Sequence, residues 1–332
     1  MKMVKVPFEK VGNWRKHPNF DRILWNRWIG AEEFSTSFMK ILHFGIFFNM
    51  NASLITNAEM LRVVRQRCRF VEQNGLNYLS LFNGANAVDR RELGEVLGCG
   101  VGLNFIMQLL CAAGYSSCDI GEIEQEGRGA RGDLELIYPG RRPISLEIKG
   151  RQNISAASVQ EYCEHHLAGY PRPKYVLATR LRYHGQEQVK LFVGDPPSKS
   201  KIGSRRDSLI VRLTIQIRLL KSILQFSAAE NLQRRVNEIK GSHSYYRYNR
   251  VKLDLDSQLL QGRNIKGHSV FVGYSDQNIL VGVTKDVVME IIAQDFDKIL
   301  ARGKKGESFS GKESDVSIMG NGSFLLIIGE WI

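Results

Sequence analysis

The cysteines offer neither a covalent framework nor a metal cluster. There are five, Cys68, Cys99, Cys111, Cys118 and Cys163, an odd number with no Cys-x-x-Cys pairing. They do not look like a zinc site, and they suit a reducing cytoplasm. Each is read as a small buried hydrophobe. Long hydrophobic runs are missing as well. The most apolar early stretch, 41–50, is broken by His43, Gly45 and Asn49, so no membrane span is expected. No secretory leader is expected either, because Glu9, Lys10, Arg15 and Lys16 interrupt any apolar core. No internal repeat is visible, which argues against a solenoid. What remains is 332 residues, 43% hydrophobic and 24% charged, the composition of a soluble globular protein with room for two domains or one with additions.

Acidic residues are scarce in one place. Residues 199–252 contain thirteen Lys or Arg against Asp207, Glu230 and Glu238, so this stretch holds +10 of the chain's net +12. A basic segment of this kind is the electrostatic footprint of a polyanion partner, since phosphate contacts release condensed counterions. Arg205, Arg206, Arg212, Arg234 and Arg235 are its candidate phosphate contacts.

The chemistry-bearing pattern lies upstream, in RGDLELIYPGRRPISLEIKGR (131–151). It reads as two short strands around a Pro-Gly turn. Side chains alternate along a strand, so Ile144, Leu146 and Ile148 face a core while Ser145, Glu147 and Lys149 face away. Asp133 on the paired strand joins Glu147 and Lys149. Two carboxylates and a lysine converging on one spot can hold a hard divalent cation and position a water for attack on phosphate. The tetrapeptide alone carries little weight, because Glu238-Ile239-Lys240-Gly241 repeats it in a stretch with helical spacing, where Glu238 and Lys240 splay apart.

The surrounding elements follow from periodicity and end signals. A helix is predicted over 57–73, capped by Thr56 with Glu59 and stopped by Gly75. Another begins near Asp89, with Leu93, Val96 and Leu97 as its apolar face, and a third runs over 103–113. Strands are predicted at 120–123, 134–138 and 144–149, a helix at 156–167, and strands at 174–181 and 188–193. This order implies a mixed central sheet flanked by helices, in the α/β class. A linker at 195–204, a single long helix over 207–239, strands at 269–274, 279–284 and 324–328, and a helix over 285–301 complete the reading. The chain thus divides into an N-terminal accessory region (1–88), a core (89–195), a basic linker and helix (196–250) and a C-terminal α/β accessory region (251–332).

The segment from Glu92 to about Val193 resembles the PD-(D/E)xK phosphodiesterase superfamily, whose restriction-endonuclease-like fold puts a helix before a three-stranded meander bearing the acids, then a second helix and further strands. The resemblance implies a restriction-endonuclease-like α/β core with additional N- and C-terminal elements. It implies Mg²⁺, with Mn²⁺ as a substitute, held by Asp133, Glu147 and the main-chain carbonyl of Ile148. Lys149 would orient the attacking water, and Glu95, or else Glu92, would complete the site from the first helix. Gly132 stands where the family's naming proline would be, and Gln160-Glu161-Tyr162 is mis-spaced for a Gln-x-x-x-Tyr motif.

The expected activity is a Mg²⁺-dependent, restriction-type DNA endonuclease acting on double-stranded DNA as a homodimer, with no membrane partner and no organic cofactor. Arg128, Arg131, Arg141, Arg142 and Arg151 around the hairpin and Gln160 on the next helix are further phosphate-contact candidates. Two alternatives stay open. Glu95, Gly114-Tyr115, Asp133 and Glu147-Ile148-Lys149 also look like the layout of archaeal Holliday-junction resolvases. The segment 90–112 also resembles a helix-turn-helix, turning at 98–102, although its second helix offers only Asn104 and Gln108 as polar readers.

Overall fold

In the computed structural model of the chain, the residues described are 3–12, 32–49, 71, 76–78, 87–112, 119–122, 134–137, 144–166, 174–183, 188–194, 205–241, 251–275, 279–294, 307–310 and 314–328. Thirteen strands in this set form two sheets, with helices packed between and around them. The fold class is mixed α/β. No helix among the described residues is long and apolar enough to cross a membrane.

The first sheet has seven strands in the order β2-β1-β7-β6-β5-β4-β3. Here β1 is Met3–Val11, β2 Glu33–Ser37, β3 Asp119–Glu122, β4 Leu134–Ile137, β5 Ile144–Arg151, β6 Lys174–Arg180 and β7 Lys190–Gly194. The strands β3, β4 and β5 form an antiparallel meander. The chain then crosses through a helix, α3 (Ala156–Glu161), which continues as a π-turn over Tyr162–His166, and enters β6 parallel to β5. A parallel neighbour requires such a crossover, because a tight turn can only reverse the chain. The predicted order of helix, three strands, helix and two strands is therefore observed. The structure adds β1, which pairs in parallel with β7, so part of the region set apart in the sequence extends the same sheet.

One face of this sheet is covered by a 26-residue helix, α2 (Ala87–Ala112). It runs unbroken through Gly98, Gly100 and Gly102, so the turn predicted there does not form and the helix-turn-helix reading loses its geometry. The glycines serve close approach instead. A Cβ on Gly98 would lie 2.4 Å from the Gly150 Cα on β5, and one on Gly100 would lie 1.9 Å from the Ile41 carbonyl oxygen. Ile41 belongs to α1 (Phe38–Asn49), whose Gly45 makes the reciprocal approach to Val96. Glycine weakens an isolated helix, but here it lets α2 settle on a strand and on a second helix at once. Farther along α2, Phe105 packs against β1 and β2, 5.0 Å from Phe8 and 5.4 Å from Phe34 between ring centroids.

The single helix predicted over 207–239 is two: α4 (Arg205–Ser222) and α5 (Phe226–Gly241). The chain reverses at Leu224, whose φ of 61° ends α4 in the left-handed conformation. Leu213, Ile217, Leu220, Ala229, Leu232 and Val236 then form one core shared by the two helices. The second sheet is antiparallel, in the order β11-β12-β13-β10-β9-β8: β8 is Gln261–Ile265, β9 His268–Ser275, β10 Ile279–Thr284, β11 Glu307–Ser310, β12 Ser314–Ile318 and β13 Ser323–Ile328. It carries α6 (Lys285–Ala293), which stops short of the predicted end because Gln294 adopts the left-handed conformation. The stretch 251–256 forms no strand. Side-chain amides hold it instead. Gln225 bonds both the N–H and the carbonyl of Asp256, Gln294 does the same for Val251, and Asn231 donates to the Lys252 carbonyl.

The sheets meet at α1. Buried His43 bonds Ser317 Oγ through Nδ1 and Ser323 Oγ through Nε2, both at 2.9 Å. Burial pushes the imidazole pKa down to about 3.

Candidate active site

The β5 strand alternates as predicted, but both of its faces are covered. Leu146 and the half-buried Ile148 pack toward α2 in the main core. Ser145 and Glu147 lie on the other face and are also buried, at 0% and 2% exposure. The parallel pairing explains this, because a crossover helix is laid back over the sheet. Here α3 and its π-turn bring Val159 and Cys163 onto Val176, Ala178 and Phe192. Glu147 is thus a carboxylate set into an apolar layer.

Two groups compensate it. Lys149 Nζ forms an ion pair with Glu147 Oε1, and the Tyr162 hydroxyl donates to the same oxygen at 2.8 Å. The Lys149 ammonium also sits 5.6 Å from the centroid of the Tyr162 ring. The π-turn places Tyr162 over the strand. In such surroundings a charge pair interacts more strongly than in water, and its desolvation is expensive unless partners are well placed. Carboxylate, ammonium and phenol are therefore held in one geometry. The spacing of Tyr162 from Gln160 misses a known motif; its position beside Glu147 follows from the crossover.

Glu95 lies on the α2 side, where it pairs with Arg91 at 2.9 Å. A cavity of about 280 Å³ opens there, lined among others by Arg91, Glu95, Leu134, Ile148, Lys149 and Arg151. Glu95 and Lys149 thus share a cavity. The side chain of Glu92 lies outside what is described. So do Asp133, Arg128, Arg131, Arg141 and Arg142, together with the predicted helix over 57–73 apart from Val71. The described part of β4 begins at Leu134, paired with Leu146, the residue before Glu147.

The remaining candidates scatter. Arg151 is exposed at the end of β5. Gln160 is exposed and bonds Glu164 at 2.9 Å, one turn along its own surface. Arg205 and Arg206 begin α4, with side chains outside what is described. Arg212 is 3% exposed, which removes it from a surface that could grip DNA. The reason is that α4 is buried on nearly all sides, from Arg212 and Leu213 to Ile217 and Leu220, as an interior helix. Arg234 is exposed and bonds Asn231 on α5, and Arg235 pairs with Glu238. That second copy of the tetrapeptide behaves as predicted, with Glu238 exposed and held by Arg235 rather than by Lys240. Basic residues that the sequence reading passed over, Arg180 and Lys190, lie on the Glu147 face of the sheet.

Among the described residues no group of three or more His, Cys, Asp or Glu is placed to hold a metal ion. The described residues supply one buried carboxylate from the predicted pair, Glu147. Its oxygen chemistry suits a hard cation. No family model, no curated protein and no solved structure matches the chain.

Proposed function

We propose that the protein is a Mg²⁺-dependent endonuclease that hydrolyses DNA phosphodiester bonds, of restriction type, acting as a homodimer on double-stranded DNA. The observation that carries the reading is buried Glu147 on β5, ion-paired with the half-buried Lys149 and steadied by Tyr162. Its setting adds support: a helix, an antiparallel meander, a crossover helix and a strand parallel to the third, the order of a restriction-endonuclease-like core. A buried carboxylate is costly unless it is paired, and a carboxylate fixed beside an ammonium can hold a hard cation and orient a water.

In this reading Glu147 and Asp133 hold the metal, with the Ile148 carbonyl as a further ligand. A bound Mg²⁺ supplies Lewis-acid polarisation of the phosphate and lowers the pKa of a bound water. Tyr162 keeps the Glu147 carboxylate in one orientation. Lys149 orients the attacking water and offsets charge on the pentavalent phosphorus. The water oxygen bonds to phosphorus, one P–O ester bond breaks, and the departing oxygen takes up a proton. Glu95 reaches the shared cavity from α2.

The assay is digestion of plasmid and of a four-way junction with Mg²⁺. Discrete plasmid fragments are expected; paired nicks at the crossover would instead indicate a junction resolvase. Equal behaviour of wild type and Glu147→Ala on both substrates rules the assignment out. Lys149→Ala should still bind DNA without cutting it.

A further inference from the structure

The face of the sheet that carries Glu147 continues into a row of cations. Strand register sets Arg151 of β5 beside Arg180 of β6, and Arg180 opposite Lys190 of β7. Residues paired in register point to the same side of a sheet, so the three form one row across adjacent strands. Arg151 is exposed, and Arg180 and Lys190 are half-buried. Neighbouring strands are about 4.8 Å apart, so the row spans roughly 10 Å. Arg151 is two residues beyond Lys149 on the same strand, roughly 7 Å along it.

Like charges directly opposite each other destabilise a sheet. The row is tolerated through what lies around it. Buried Phe192 has the Arg180 guanidinium and the Lys190 ammonium each 5.5 Å from its ring centroid. Both stems can thereby cover apolar surface while the charged ends face outward. Glu9 stands 2.6 Å from Lys190. Of the nearby carboxylates, Glu147 is engaged by Lys149. Arginine favours planar, bidentate contact with phosphate, and two of the three positions are arginine.

We propose that Arg151, Arg180 and Lys190 form a phosphate track that grips the backbone of one nucleic-acid strand on one side of the bond addressed by Glu147 and Lys149. The proposal rests on the nuclease reading for its substrate. It places the grip on the catalytic sheet, outside the basic 199–252 segment.

The test measures binding of the full chain to a labelled DNA duplex without Mg²⁺, by fluorescence anisotropy across a salt series. Arg180→Gln with Lys190→Gln should lower the slope of log affinity against log salt by about 2. The charge-conserving pair Arg180→Lys with Lys190→Arg should keep the slope. An unchanged slope in the glutamine variant overturns the track, as does a wild-type chain that does not bind duplex. If the double variant fails to fold, exposed Arg151→Gln is read instead, with an expected fall of about 1 and an unchanged slope again overturning the track. Glu147→Ala separates the two readings. If it still cuts while the glutamine variant loses its slope, the catalytic assignment fails and the track stands. If it stops cutting while the glutamine variant keeps its slope, the track fails and the nuclease stands.

Discussion

In the seven-stranded sheet a buried carboxylate on β5, Glu147, is paired with the half-buried ammonium of Lys149. In the C-terminal half, the groups that tie Val251–Asp256 to the helices are the neutral amides of Gln225, Asn231 and Gln294. An amide carries a donor and an acceptor, so one side chain can satisfy both backbone groups of an extended residue at modest desolvation cost. A buried charge costs far more to desolvate, and replacing a buried ion pair by hydrophobic residues is often neutral or stabilising. Neutral amides therefore suit a structural clasp, while the charged pair carries a desolvation cost that the proposed chemistry would account for.

The sharpest way to break this contrast is to remove one group from each half. Glu147→Ala should reduce Mg²⁺-dependent plasmid cleavage by about 1,000-fold or more, whereas Gln225→Ala should leave the cleavage rate of the folded protein unchanged. Similar losses in both would mean that Glu147 acts through the fold. Next in size is Gly98→Leu. With only 2.4 Å available to its Cβ, the substitution should cost about 3 kcal/mol in a urea melt, because α2 must lift from Gly150. A cost below 1 kcal/mol would show that the helix can shift on the sheet.

Gln225→Ala comes third. It removes two part-buried hydrogen bonds to the Asp256 backbone and should destabilise the protein by about 2 kcal/mol, with amide exchange at 254–256 accelerated first; uniform acceleration would deny the clasp a local role. The smallest effect concerns the junction between the halves. The folded pKa of His43, about 3, lies below the ordinary 6.5, so between these values the unfolded chain binds the extra proton. The His43 contribution is therefore present above pH 6.5 and is lost progressively as pH falls toward 3, costing about 1.4 kcal/mol by about pH 5.5. His43→Gln should flatten the dependence of urea midpoint on pH across that window; an unaltered curve would assign the acid sensitivity elsewhere.

Local periodicity made much of the first half legible. The alternation of Ile144, Leu146 and Ile148 marked β5, and the strands at 174–180 and 190–194 announced themselves by apolar runs. The glycines of α2 misled, because a glycine that breaks an isolated helix also allows a close crossing, and only the partner decides which. Leu224 gave no warning of a reversal, since nothing in its side chain demands a positive φ. Arg212 looked like surface by residue type and is interior because α4 is surrounded. Tyr162 and the row of Arg151, Arg180 and Lys190 were hidden for a related reason: their partners lie on other elements, and register across a sheet is not written in any one strand.

The sequence by itself determined the α/β class, the elements around 119–194, and the adjacency of Glu147 and Lys149 on one face of a strand, because a period of two is a local property of extended backbone. Tertiary structure decided that this face is buried, that Tyr162 closes over the pair, that α2 is one helix and the 205–241 segment two, and that cations from three strands align beside the pair. Those outcomes depend on which surfaces are pressed together, and burial and close approach are properties of the pair in contact.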